Sequence, residues 1–176
     1  MSFIGGVKQG KKYHPGWFLA HEECVRKTQE MTQAMATTTE EGSKYVPMGT
    51  IWPAGDATAR GVVYEDVDVT TGAMPGSVVM RGVVYEDRLP QAVDTYSSAT
   101  VPSGGNPKEL GLYERSGSSP NYVYTLTTDT TVADGKTYYS YDGKKIASAA
   151  KTALQGLGFV FAEEPTVTRP DFGTNP

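Results

Sequence analysis

Cysteine and histidine are the scarcest reactive residues in this sequence: one cysteine, Cys24, and two histidines, His14 and His21. A lone cysteine excludes an intrachain disulfide, so cross-links do not hold the fold. Neither histidine sits at a spacing that zinc sites or metalloproteases use. His14 precedes Pro15 in a loop-like stretch and reads as a surface or interface residue. On a helix, His21 and Cys24 would share a face three residues apart, which makes a low-pKa nucleophile conceivable. No oxyanion-hole or nucleophile-elbow signature accompanies them, so the pair reads as unreactive.

Long apolar runs are also missing. No stretch approaches the roughly 18–20 residues that a membrane span needs, which argues against a membrane partner. The segment Met1–Lys12 lacks the apolar region of a signal peptide, so the chain is expected to be made and assembled in a cytoplasm. Charge of one sign is lacking as well: 16 basic against 20 acidic residues give a net charge of −4. A nucleic-acid binder concentrates basic residues on one face. Here only Lys8, Lys11 and Lys12 cluster, and they read as a solvated tail with no nucleic acid bound. Phosphate-cradling and dinucleotide-binding glycine motifs are absent, and so is a G-x-S-x-G elbow.

What the chain does have is turn and strand chemistry. Its 176 residues suffice for a real core, and its mean hydropathy of −0.39 is that of a soluble protein. Glycine (20) and proline (11) supply turns, while threonine and tyrosine favour strands over the middle of the chain. The expected fold class is mainly β (α+β): a small β-barrel or β-tulip-like domain with an extended N-terminal arm and one C-terminal helix.

Four segments divide the chain. Residues 1–45 read as the arm, with a possible short helix from Trp17 to about Met35; such an arm gains order by lying on a partner. Residues 46–96 read as the β-rich core. Pro47 breaks the strand Val46–Trp52, which should therefore start or edge its sheet. Gly61–Val69 alternates, with Val63, Val67 and Val69 on one side and Tyr64, Asp66 and Asp68 on the other, which suits a sheet with one wet face. Thr71-Gly72 and Pro75-Gly76 punctuate, and Ser77–Met80 is another short strand. The heptapeptide Arg60–Asp66 recurs identically at Arg81–Asp87. Two copies are too few for a solenoid, so they read as two similar strands of one barrel or sandwich.

Residues 97–120, rich in serine, glycine and proline, read as a connector. Residues 121–176 read as a hairpin, a helix and a closing strand, either part of the core or a small second subdomain. The hairpin joins Tyr122–Thr127 to Lys136–Tyr141 through Asp134-Gly135, and Asp142-Gly143 repeats the turn signal. The helix spans Lys144–Gly156, with Ile146, Ala149, Ala150, Ala153, Leu154 and Leu157 as its stripe and Gly158 beyond its end. Phe159–Ala162 closes the fold, and the proline-rich tail beyond it is extended.

Acidic pairs are the other candidates for chemistry. Glu65-Asp66-Val67-Asp68 and Glu86-Asp87 lack the ligand order of a calcium loop and read as a wet sheet face. The tyrosines (11 of them) either pack across sheets or present rings to sugars or a protein partner, and the sequence leaves both open.

Pro47-Met48-Gly49-Thr50-Ile51, then Ala59-Arg60-Gly61-Val62-Val63 and Asp66-Val67-Asp68-Val69-Thr70, resemble the head-decoration (capsid auxiliary or cement) proteins of tailed bacteriophages. Those proteins place a P-x-G-T-[IV] strand shortly before an A-x-G-[VI]-[VL] strand. Thr125-Leu126-Thr127 with Gly135-Lys136-Thr137-Tyr138-Tyr139 resembles a segment common in phage structural proteins. The resemblance implies a small β-rich fold, a homotrimer, and a place on the outer surface of the capsid. It implies contact with the major capsid protein through the N-terminal arm and the lower face. It implies shell stabilisation with no cofactor, no metal and no catalytic residues. A head-fibre or tail-associated module that recognises glycans or a host surface is the alternative. An enzyme, such as a small hydrolase using Asp66 or Glu86, lacks a convergent catalytic set.

Overall fold

The computed structural model describes residues 14–163. The chain divides into two compact units: unit 1 takes the residues up to Ala92 and those from Ile146 onward, and unit 2 is Val93–Lys145. Unit 1 holds β1 (Val25–Met31), β2 (Thr37–Thr38), β3 (Lys44–Val46), β4 (Ile51–Trp52), β5 (Gly61–Val63), β6 (Val67–Asp68), β7 (Met74–Arg81) and β8 (Val83–Tyr85). Unit 2 holds β9 (Val93–Ala99), β10 (Tyr113–Ser118), β11 (Asn121–Leu126) and β12 (Tyr138–Lys145). The helix α1 (Ser148–Gly156) and β13 (Val160–Ala162) return to unit 1.

The centre of unit 1 is an antiparallel sheet in the order β1-β7-β5-β4. Its two inner strands carry valine doublets, and the register sets Val62 opposite Val79 and Val63 opposite Val78. Successive strand residues point to opposite faces, so each doublet feeds two cores at once. Val62 and Val79 join Phe18, Ile51, Val84, Ile146, Ala150, Leu154 and Phe159 on one side. Val63 and Val78 join Met31, Val46, Val67 and Val69 on the other. The sheet is thus covered on one face by α1 and β8 and on the other by the small sheet β2-β3-β6. All the sheets stay open, and the barrel expected from the sequence is not closed.

Several expectations are met. The chain is mainly β with one helix near the C-terminal end. Within the expected alternation, Val67 and Val69 are buried and Asp66 and Asp68 exposed. The run is two strands, however, and β5 has both of its faces covered. Pro47 ends β3, and β4 lies at a sheet edge. The helix starts four residues later than expected. It buries Ala150 and Leu154, leaves Leu157 47% exposed, and closes as a Schellman motif. Gly158 N–H donates to the Gln155 carbonyl and Phe159 N–H to that of Leu154, with Gly158 at φ 91°, where a side chain would be strained.

Other expectations are corrected. Residues 14–45 are not an arm, since Phe18 and Met31 are fully buried; the remainder of the expected arm lies outside the described residues, as does the tail beyond Glu163. No α-helix forms over 17–35; a single 3-10 turn, Gln33–Met35, is the only helical part of that stretch. Val25–Met31 is a strand paired along its length with β7, whose backbone groups offered more than a weak, uncapped helix could. Pro75-Gly76 lies inside β7 and does not punctuate it.

The two heptapeptide copies form strands in different surroundings. β5 is an inner strand of the central sheet. β8 lies between an antiparallel bridge at Leu19 and the parallel strand β13. The supposed connector contains the last three residues of β9 and all of β10. The expected hairpin partners are not neighbours: the sheet of unit 2 runs β11-β10-β12-β9. Asp134-Gly135 makes a turn closed by Lys136 N–H to the Ala133 carbonyl, but in a loop. Asp142-Gly143 is a bulge inside β12.

Leu154→Ala should cost about 2–5 kcal/mol of stability, whereas Leu157→Ala should stay within about 1 kcal/mol, measured by denaturant unfolding. Equal costs would mean that the helix does not seat on this core.

Candidate functional site

The residues singled out for chemistry are scattered, and most have framework partners. His21 is exposed and Cys24 half-buried against the core of unit 1 in the bend before β1, so no helix aligns them. His14 is exposed, and its carbonyl accepts from Trp17 N–H. Lys8, Lys11 and Lys12 lie outside the described residues. Asp66 Oδ1 accepts from Met48 N–H at 2.7 Å. Asp68 Oδ1 accepts from Thr70 N–H at 2.8 Å, and the Thr70 hydroxyl and amide hold its carboxyl below the usual range. Among the described residues no three His, Cys, Asp or Glu side chains gather as metal ligands would.

Glu86 works in the scaffold. Its Oε1 accepts from Ile146 N–H at 3.0 Å and its Oε2 pairs with Lys151 Nζ at 2.5 Å. The carboxylate therefore holds the start of α1, where negative charge is favoured. Its copy in the first heptapeptide, Glu65, makes no such pair of contacts. Identical sequence gave no hint of that difference, because the partner lies 60 residues on.

Unit 2 gathers the most distinctive surface. Alternation puts Tyr96, Tyr113, Arg115, Tyr122, Tyr124, Tyr139 and Tyr141 on one face of its sheet. The sheet curls so far that Tyr96 of one edge strand stacks on Tyr124 of the other, with ring centroids 4.0 Å apart and planes 7° apart. Tyr113 and Tyr141 pack against Tyr96, and Tyr139 meets Tyr124 edge-on. Arg115 lies over the rings of Tyr122 (4.3 Å) and Tyr139 (5.0 Å).

The opposite face is held by a polar cluster. Lys136 Nζ bridges Glu114 Oε2 (3.1 Å) and Asp129 Oδ2 (2.9 Å). Tyr138 hydroxyl donates to Asp129 at 2.7 Å and accepts from Ala133 N–H, and Thr127 hydroxyl donates to Glu114. The Thr127 hydroxyl and then Lys136 hold Glu114 below the usual carboxylate range. Lys136 and then Tyr138 do the same for Asp129, and the two carboxylates raise Lys136. A shallow hollow of about 260 Å³ opens beside them, lined by Glu114, Arg115, Gly135, Lys136, Thr137 and Tyr139.

The sequence reading missed this cluster. Tyr113-Glu114-Arg115 is hidden by the Gly117–Pro120 run, which is the end of β10 and the two-residue turn Ser119-Pro120 into β11, not a linker. The period-2 alternation of Tyr113 and Arg115 against Glu114 and Ser116 was the available signal.

Two outcomes test these roles. Glu86→Gln should destabilise the protein by about 1–3 kcal/mol in denaturant unfolding, because it weakens a half-buried charge-assisted pair; an unchanged midpoint would remove Glu86 from the scaffold. Carboxyls with lowered folded pKa values add stability above their unfolded pKa, near 4, and lose it as pH falls through the folded value. The tyrosine near-ultraviolet circular dichroism should therefore hold from neutral pH to about 4.5 and fade below about 4. Lys136→Met should weaken that acid dependence, and an unaltered acid limb would mean that the cluster does not hold unit 2.

No protein-family profile, curated protein or solved structure matches the chain.

Proposed function

We propose that this chain is a structural protein of a tailed-phage particle that binds the outside of the capsid and stabilises the shell without catalysis. The observation that carries the reading is how the resembling segments meet. Pro47–Ile51 and Ala59–Val63 lie side by side: Gly49 N–H donates to the Val63 carbonyl and Val63 N–H to that of Thr50, each at 2.8 Å. Asp66 of the third segment caps Met48 N–H. The three short motifs, separate in sequence, thus build one corner of unit 1, as they would if they were one structural element of a decoration-type core.

The placement of the reactive side chains supports the non-catalytic part. Glu86 and Asp66, the candidates for hydrolysis, are tied to backbone amides and a lysine in the scaffold. A shell clamp needs none of them free. It works by binding only the assembled shell, which stabilises the shell by mass action, and by repeating each contact over a lattice.

Purified protein mixed with capsids that lack it should cosediment with them, and imaging should show added density at symmetry-related sites outside the shell. Treated capsids should also withstand heating longer. Failure to bind shells, with attachment to tails, glycans or host cells instead, would replace this reading by the head-fibre or tail-associated one.

A further inference from the structure

Among the described residues, the free edge of β11 differs from those of the two other long edge strands, β1 and β9. β1, an edge of the central sheet, carries Arg26, Lys27 and Glu30. β9, the other edge of the unit 2 sheet, carries Asp94, and its ladder with β12 is interrupted by a bulge. Charges and bulges are how edges are kept from pairing with other chains. β11 has neither: Asn121-Tyr122-Val123-Tyr124-Thr125-Leu126 is uncharged, and its register with β10 is continuous. Tyr122 is 39% exposed, Val123 57% and Leu126 61%.

The hydrogen-bond phase shows which groups this edge offers. Thr127 N–H donates to the Leu112 carbonyl at 2.9 Å, continuing the β10–β11 register by one pair. In an antiparallel ladder bonded and non-bonded pairs alternate. Residues 121, 123 and 125 therefore bond inward to β10. Tyr122, Tyr124 and Leu126 turn their N–H and C=O groups outward.

We propose that this edge is the contact for a second copy of the same chain, with the two β11 strands antiparallel about a two-fold axis. The axis passes through Tyr124, so that Tyr124 lies opposite its counterpart, Tyr122 opposite Leu126, and Val123 opposite Thr125. Every outward peptide group then meets an outward group, giving six backbone hydrogen bonds. Rings and aliphatic side chains fall together on one face, and β-branched pairs on the other. A two-fold contact needs a surface complementary to itself. An uncharged strand meets that condition, because self-pairing sets no like charges opposite each other. This contact rests on unit 2 alone and is independent of the capsid reading.

The test is sedimentation equilibrium with two variants at exposed positions. In this register each residue 123 faces residue 125 of the second copy. Val123→Lys/Thr125→Lys sets like charges opposite one another twice and should weaken the pairing about tenfold or more. Val123→Glu/Thr125→Lys sets opposite charges there, puts the new lysine and no second carboxylate opposite Glu114 of its own chain, and should restore it. Wild type and the second variant should sediment at twice the mass of the first, with the tyrosine near-ultraviolet signal unchanged in all three as the check on folding. Equal masses for all three proteins would overturn the proposal. Loss of doubling in both variants would overturn this register.

Discussion

One carboxylate holds the two halves of unit 1 together. Glu86 ends the first stretch of chain, and Ile146 and Lys151 begin the second, after the whole of unit 2 has intervened. The amide at the entry to α1 and the lysine one turn in both turn to the same side chain. With the helix start fixed, Ala150 and Leu154 reach the core and the Schellman turn aims Phe159 into it. The next residues then lie parallel to β8. A parallel pair requires a long crossover, and here the crossover consists of the helix and an entire second unit.

The two units solve the problem of a core differently. Unit 1 spends its valines on both faces of a central sheet and covers them with a helix on one side and a small sheet on the other. Unit 2 is too short to do that. A small unit buries a low fraction of its surface. It curls one sheet around tyrosine rings, which bury large apolar area while leaving a polar end for water. It then ties down the back with a lysine between two carboxylates.

The parts of the fold that were legible in the sequence are those set by local chemistry. Examples are the apolar stripe of α1, Gly158 at its end, the break at Pro47, and the inward Val67 and Val69. Where distant partners decide, the sequence was silent. β1 has the composition of an indifferent helix and becomes a strand because β7 offers it a ladder. The repeated heptapeptide has one pattern and two fates, since only the second copy finds β13 and Lys151. Asp134-Gly135 and Asp142-Gly143 are sound turn signals that a loop and a bulge use as readily as a hairpin does. The tyrosine stack was invisible for the same reason: its two best-stacked members sit on strands at opposite edges of the sheet.

The ends of unit 2 are neighbours: Val93 and Lys145 are paired residues at the foot of the β9–β12 ladder. Paired positions in an antiparallel ladder stand only about 5 Å apart. A tight turn could span that distance, so the entire insert is, in effect, a cassette. Lineages could gain, lose or exchange such a cassette while the surrounding strands kept their register. The sheet of unit 2 is thereby free to diversify at a pace that the packed valine layers of unit 1 could not tolerate.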